Sequence, residues 1–303
     1  MTVLDGGTAV VTGAASGLGL EMCRQLAGLG MDLVMADVQW PALEEVAAEV
    51  SALGAKVLPV QVDVAQAASV EALGAATLAA FGAPRLVVNN AGVSAGGLVW
   101  ENTAQDWEWV LGVNLMGVVH GVRVFTPMML AAAASDPGYA GHIVNMASLA
   151  GLVCAPNMGA YNVGKHAVVA LSETLHHDLA LVTRQVRASV VCPHFVSTAI
   201  ADSARNRPPE LANDRPMTKS QRINRVMAAK AVSEATVSPA DVVRATLEAV
   251  RHGRFYVHPH GEGLEAVRSR LDAVLQGGDP SDPMASQPEV GRDLRRALAP
   301  RTA

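Results

Sequence analysis

Aromatic residues are scarce in this chain, with four Phe, four Trp and three Tyr among 303 residues. Its core must therefore be packed from Ala, Val, Leu, Met and Gly. Charge is sparse as well: 17% of residues are charged against 50% apolar, which excludes a disordered chain. No block of Lys or Arg stands out and the formal net charge is −5, so no field that would hold nucleic acid is present. Only three cysteines occur, Cys23, Cys154 and Cys192, and their scatter matches no metal or redox spacing. They read as buried free thiols. A long hydrophobic run is missing too. The most apolar stretch, 124–134, is short and holds Pro127, whereas a membrane-spanning helix needs about 20 residues. The first residues carry no basic region of a secretory signal. These absences lead to the expectation of a metal-independent, cytoplasmic globular protein with no membrane or nucleic-acid partner.

What is present is a regular alternation. Apolar runs rich in β-branched residues predict strands at 8–12, 31–36, 56–60, 85–89, 141–147, 186–192 and 254–258. Helical patterns predict helices at 20–29, 41–53, 69–81, 105–130, 161–181 and 239–252. Strands alternating with helices of this length imply a parallel sheet with helices on both faces, an α/β doubly wound Rossmann fold. Glycines 112, 117 and 121 suit a helix that packs closely on a neighbour. The alternation breaks at 197–236, where Pro208, Pro209 and Pro216 fall. An irregular insertion of this length is usually functional, and 199–230 is expected to form a mobile lid over a substrate, with a short helix near 221–231. One domain over 1–260 is expected, followed by a helical or flexible extension over 261–303. That extension reads as a helix at 263–276, a linker at 277–288 and a short or frayed helix at 291–303.

The turn after the first strand reads Thr12-Gly-Ala-Ala-Ser-Gly-Leu-Gly19. Glycines let a backbone approach a pyrophosphate, and the following helix offers free N–H groups and a positive dipole end. A simple tight turn is the alternative. Asp37 ends the second strand and can accept from ribose hydroxyls while repelling a 2′-phosphate. No basic residue stands next to it, so the pair predicts NAD rather than NADP. Tyr161 and Lys165, four apart, share one helix face. A nearby ammonium favours a phenolate and so lowers the tyrosine toward neutrality, making it a general acid–base. Ser148 ends the preceding strand and can face the same crevice.

Taken in order, Thr12–Gly19, Asp63, Asn89-Asn-Ala-Gly92, Asn114, Ser148 and Tyr161-Asn-Val-Gly-Lys165 resemble the short-chain dehydrogenase/reductase family, in its single-domain branch. The resemblance spans roughly residues 7–259. It implies a doubly wound sheet of seven parallel strands, a fold seen in the order of elements above. It implies a cofactor site of Gly13, Ser16, Gly17, Leu18, Gly19, Asp37, Asp63, Val64, Asn90, Ala91, Gly92, Tyr161, Lys165, Pro193, Val196 and Thr198. Asp63 and Val64 would flank the adenine, and Asn90 would stabilise the central strand. Asn114 would kink its helix and hold a water that leads protons to Lys165. Lys165 would bind the nicotinamide ribose, Tyr161 would move the proton and Ser148 would orient the substrate oxygen. One departure stands out: Cys192-Pro193-His194 replaces the family's usual Pro-Gly.

The activity so implied is NAD-dependent interconversion of a hydrophobic secondary alcohol and its ketone. A 3-oxoacyl reductase and a non-catalytic dinucleotide-binding regulator are the alternatives. Ser94, Leu149, Met158, His194 and Phe195 are expected to line the substrate pocket. The segment 106–114 is similar to that of bacterial members which oxidise the carbinol of lignin-derived aryl ethers. The lid arginines 205, 207, 215, 222 and 225 offer positive charge, either to a negative substrate group or to solvent. His176 and His177 are expected at the surface, and no metal is expected at His258 and His260. Trp100, Trp107 and Trp109 are expected to pack a helix start. Apolar residues around two long helices, among them Val118, Val122, Val168 and Leu175, predict a homotetramer or homodimer.

Overall fold

The structure is a computed structural model that describes residues 3–261 and 263–299. Its strands are β1 (Thr8–Thr12), β2 (Asp32–Asp37), β3 (Val57–Gln61), β4 (Leu86–Asn89), β5 (Gly141–Met146), β6 (Val186–Val191) and β7 (Tyr256–Val257). All pair in parallel, in the order β3-β2-β1-β4-β5-β6-β7. The five residues of β1 are all buried, as are the four of β4 and the six of β5. Strands buried on both faces have no reason to alternate polar and apolar residues.

The crossovers supply the helices: α1 (Gly17–Gly28), α2 (Trp40–Ser51), α3 (Ala67–Phe81), α4 (Ala104–Leu111), α5 (Gly117–Ser135), α6 (Gly159–Val182), α7 (Lys219–Ser233) and α8 (Pro239–His252). One core layer joins α1, α2 and α8 to one face of the sheet through Leu26, Leu43 and Leu247. The opposite layer joins α3, α5 and α6 through Leu73, Phe125 and Leu175. The insertion is more regular than its prolines suggested. It holds short 3₁₀ turns at Ala199–Asn206 and Pro209–Leu211, then α7, whose Thr218 and Gln221 form a capping box. Two further helices follow β7, α9 (Leu264–Gln276) and α10 (Pro288–Leu298). Residues 300–303 of the expected terminal helix lie outside the described residues.

Several expectations change. The helix predicted at 105–130 runs from α4 through one π-turn, Gly112–Met116, into α5. It therefore spans Ala104–Ser135, 32 residues, and by length and composition is long enough to cross a membrane. In this fold it is instead a layer helix, with Phe125, Met129 and Ala133 buried against the sheet. Val118, Val168 and Leu175 are likewise covered by the chain itself, so they do not call for a second subunit. Cys154 is exposed, unlike Cys23 and Cys192. Trp109 is buried but Trp100 is 76% exposed and packs no helix start.

The glycines of the long helix act within the chain. A Cβ at Gly121 would meet Asn89 Oδ1 at 2.0 Å, and Asn89 cannot yield because its Nδ2 donates to buried Asn145 Oδ1 at 2.8 Å. Gly121→Ala is therefore expected to destabilise the protein by about 1–3 kcal/mol through overpacking. Gly28→Ala meets nothing within 4 Å and is expected to be neutral or stabilising by up to about 1 kcal/mol. Denaturant unfolding of both variants at unchanged m-value checks this contrast.

Candidate functional site

Parallel strands deliver their carboxyl ends to one edge, and the strand order reverses there between β1 and β4. The predicted residues gather along that edge. The turn after β1 carries Gly13, Ser16, Gly17, Leu18 and Gly19. Gly13 and Gly17 adopt positive φ, 68° and 56°. A Cβ on Gly13 would meet Ala91 Cα at 2.8 Å, and one on Gly19 would meet Gly13 O at 2.0 Å. Thr12 Oγ1 accepts from the Asn90 and Ala91 N–H groups at 3.0 and 3.1 Å. The Asn90 amide in turn donates to Thr12 O at 2.9 Å. Gly92 follows on the same strand end.

This cradle fits a dinucleotide. The N-cap of α1, Ser16, makes no side-chain cap and no acidic residue occupies the first turn. The helix thus presents unpaired N–H groups to an anion. Asp37 sits at the neighbouring strand end, its Oδ2 accepting from Ala15 N–H at 3.0 Å and its Oδ1 from Gln39 N–H at 3.0 Å. Asp63 Oδ1 accepts from Ala65 N–H at 3.0 Å, and Val64 is buried beside Gly117. Beyond β6, Pro193 O accepts from Leu149 N–H at 2.8 Å, Val196 is buried, and Thr198 lies against Gly17.

The second half of the site stands at the end of β5. Ser148 Oγ accepts from Ala150 N–H at 3.1 Å and donates to Pro193 O at 3.4 Å. Tyr161 and Lys165 lie on α6, the Lys165 Nζ 5.8 Å from the Tyr161 ring centre. Lys165 is buried, with Nζ donating to Met146 O at 2.8 Å. Burial pushes its ammonium down to about 8. Burial likewise pushes the Tyr161 phenol up, opposed by its hydrogen bond with Ser148. Here the expectation of a lowered tyrosine is corrected: desolvation sets the direction of the shift. Asn114 sits in the π-turn and bridges Val93, accepting from its N–H at 2.8 Å and donating to its carbonyl at 2.9 Å.

The substrate side is less polar. Leu149 is buried, Met158 pairs with Gly97, and the His194 ring stands edge-on to Phe195 at 4.7 Å. Ser94 N–H donates to Ser203 Oγ at 3.0 Å, so Ser94 faces the insertion. His194 N–H donates to His260 Nε2 at 3.1 Å. Sequence reasoning missed how the insertion is tied down. Arg207 Nη1 lies 2.6 Å from buried Asp106 Oδ1, its guanidinium stacks over Trp109, and Asn213 joins the same carboxylate. Only the Thr103–Asp106 capping box was legible as a signal. Asn157, at φ 66°, was also missed; its Nδ2 donates to Ser220 O at 3.1 Å.

The buried lysine has a stability consequence. Below pH 8 it is charged in both states, and the folded chain bears its desolvation. Between about 8 and 10.5 it is neutral only when folded, so the unfolded chain binds more protons and this group's contribution to stability rises with pH. Lys165→Met is expected to be more stable than the parent near neutral pH by about 2 kcal/mol, after the lost hydrogen bond is discounted. The gap should close toward pH 10.5, the ordinary lysine value. Thermal melts of both proteins across this range check it.

Known proteins resemble this chain in sequence and in fold. The family described as short chain dehydrogenase matches residues 7–209. A CLA biosynthesis dehydrogenase/reductase of Lactiplantibacillus plantarum is 31% identical over 272 residues, 89% of this chain and 93% of that protein. The C alpha-dehydrogenase of a Sphingobium species is 29% identical over 291 residues, 96% of this chain and 91% of that protein. A short-chain dehydrogenase/reductase from Burkholderia phymatum, solved in complex with NAD, superposes with a TM-score of 0.91 at 46% identity, over 94% of this chain and 100% of that one. By that family match and these identities the chain belongs to the short-chain dehydrogenase/reductase family of oxidoreductases.

Proposed function

We propose that this oxidoreductase interconverts a neutral, hydrophobic secondary alcohol and its ketone, with NAD preferred over NADP. The observation that carries this reading is the convergence of Ser148, Tyr161 and Lys165 at the end of β5, beside the glycine cradle. NAD, when bound, supplies hydride transfer. Gly13, Ser16, Gly17, Leu18 and Gly19 would hold its pyrophosphate, Asp37 its adenosine ribose, and Asp63 and Val64 its adenine. In this reading Tyr161 passes a proton to or from the substrate oxygen and Ser148 orients that oxygen. Lys165 offsets the burial that opposes phenolate formation. Asn114 and Lys165 both approach Gly92, at 3.4 and 3.7 Å from a Cβ built there, which supports a proton path from Asn114 through a water to Lys165.

The substrate class rests on charge. Each lid arginine already has a partner within the chain. Arg205 donates to Ala199 O and Asp202 O, Arg207 pairs with Asp106, and Arg215 donates to Glu101 O. Arg222 donates to Met217 O and Arg225 lies 3.8 Å from Asp202. These contacts hold the guanidinium groups against the chain's own oxygens, while Leu149, Met158 and Phe195 offer apolar surface. This favours a neutral substrate over an acyl-carrier-bound one. Residues 263–299 of the extension back this wall, since Gly263 lies against Leu149 and Lys219 Nζ reaches Ala299 O. Exposed Met116 and Val163 support contact with a second copy, as in a homotetramer or homodimer.

Two experiments test the reading. Purified protein given NAD and a panel of hydrophobic secondary alcohols is expected to form NADH. Tyr161→Phe should lower that rate by about 10²–10⁴-fold while NADH binding, followed by fluorescence, stays unchanged. A Tyr161→Phe rate near that of the parent overturns the mechanism. For the cofactor, Asp37→Ala should lower the kcat/KM preference for NAD by about tenfold or more, the effect of losing roughly 1.4 kcal/mol of charge repulsion. Equal use of both cofactors by the parent protein would refute the assignment to Asp37.

A further inference from the structure

Cys154 and His166 form a pair that the dehydrogenase chemistry does not use. Cys154 lies in the loop between Ser148 and α6, and His166 follows Lys165 on α6. The Cys154 Sγ stands 3.8 Å from His166 Nε2. The imidazole Nδ1 lies 2.9 Å from the Asn162 carbonyl. A carbonyl only accepts, so Nδ1 carries the proton and Nε2 turns its lone pair toward the thiol. Asn162 also holds the other partner in place: its Nδ2 donates to Ala155 O at 2.8 Å, next to Cys154 in the chain. The loop is pressed onto α6 at Gly151, where a Cβ would meet Lys165 O at 2.6 Å. One buried asparagine and one close backbone contact therefore fix thiol and base together.

Exposure separates this thiol from the other two. Cys154 is exposed while Cys23 and Cys192 are buried. Burial pushes the Cys192 thiol up to about 12 and the Cys23 thiol up further still. Both are thereby held as unreactive thiols.

We propose that Cys154, with His166 as its base, is a thiol–disulfide exchange site that accepts low-molecular-weight disulfides. Nε2 of His166 takes the Sγ proton as Sγ attacks one sulfur of the disulfide. A bond forms between Sγ and that sulfur, and the original S–S bond breaks. Its electron pair leaves on the second sulfur, which collects the proton and departs as a thiol. Cys154 is oxidised to a mixed disulfide and the departing half is reduced. The same loop carries Asn157 and Met158 to Ser220 and Gly97.

The test follows the native full-length protein with an aromatic disulfide that releases a coloured thiolate, and with oxidised glutathione followed by peptide mass spectrometry. One fast equivalent is expected, mapped to Cys154, and Cys154→Ser should lose it. His166→Gln and His166→Asn should each slow that phase by about tenfold or more, the loss of a positioned base. Unchanged melting temperatures, and three titratable thiols on denaturing each histidine variant, exclude misfolding as the cause. Histidine variants reacting at the parent rate, or an adduct mapping to Cys23 or Cys192, would overturn the proposal.

Discussion

The clamp between Thr12 and Asn90 joins β1 to β4 at the one place where the strand order reverses. At that place two crossovers leave the sheet in opposite directions and open a crevice. Backbone groups at the crevice lose their ladder partners, and an unpaired buried group costs free energy. Thr12 Oγ1 and the Asn90 amide repair that loss in both directions. The repair works only while the turn stays within reach of β4, and the 2.8 Å approach of a Gly13 Cβ to Ala91 shows how little room remains. The glycines of the first turn therefore serve the sheet before they serve any ligand.

A second constraint is Lys165. An ammonium this deeply buried lowers stability unless it is partnered, and a single carbonyl is a modest partner. Close by, Asn114 sits in the π-turn of the long helix and satisfies the Val93 backbone with both ends of its amide. Insertion of a π-turn is a known mark of functional segments. Here it places Asn114 beside Gly92, which Lys165 Nζ also approaches, so a local backbone departure and a buried charge meet at one strand end.

Most of this was legible in the sequence because it is local. Several strands, β1 and β4 above all, are mostly apolar runs, helical patterns fall between them, and the glycine turn announces itself within eight residues of chain. The seven strands and the positions of Ser148, Tyr161 and Lys165 along the sheet edge follow from that alternation. Burial was not legible. Val118 and Val168 read as surface apolar residues, yet their own sheet covers them. Tyr161 read as a tyrosine next to an ammonium, yet desolvation sets the direction of its shift. The Asp106–Arg207 pair was invisible because its partners are 101 residues apart and no periodicity links them. Cys154 escaped for a related reason, since exposure depends on how Gly151 seats the loop.

The roof and the floor of the cleft are held by different forces. The floor is sheet edge, fixed by backbone ladders and an apolar core. The roof, from residue 199 to α7, rests on few buried apolar side chains and on a polar lock instead. Burial alone would raise the Asp106 carboxyl, but the Thr103 backbone, Asn213 and Arg207 together hold it below the ordinary carboxylate range. Arg207 supplies the opposite charge in this lock, so withdrawing it leaves the buried Asp106 carboxylate uncompensated at a cost of about 3–5 kcal/mol. The roof is thus held by charge, with Arg207 stacked over Trp109 beside its carboxylate, where the floor is held by apolar mass and backbone ladders.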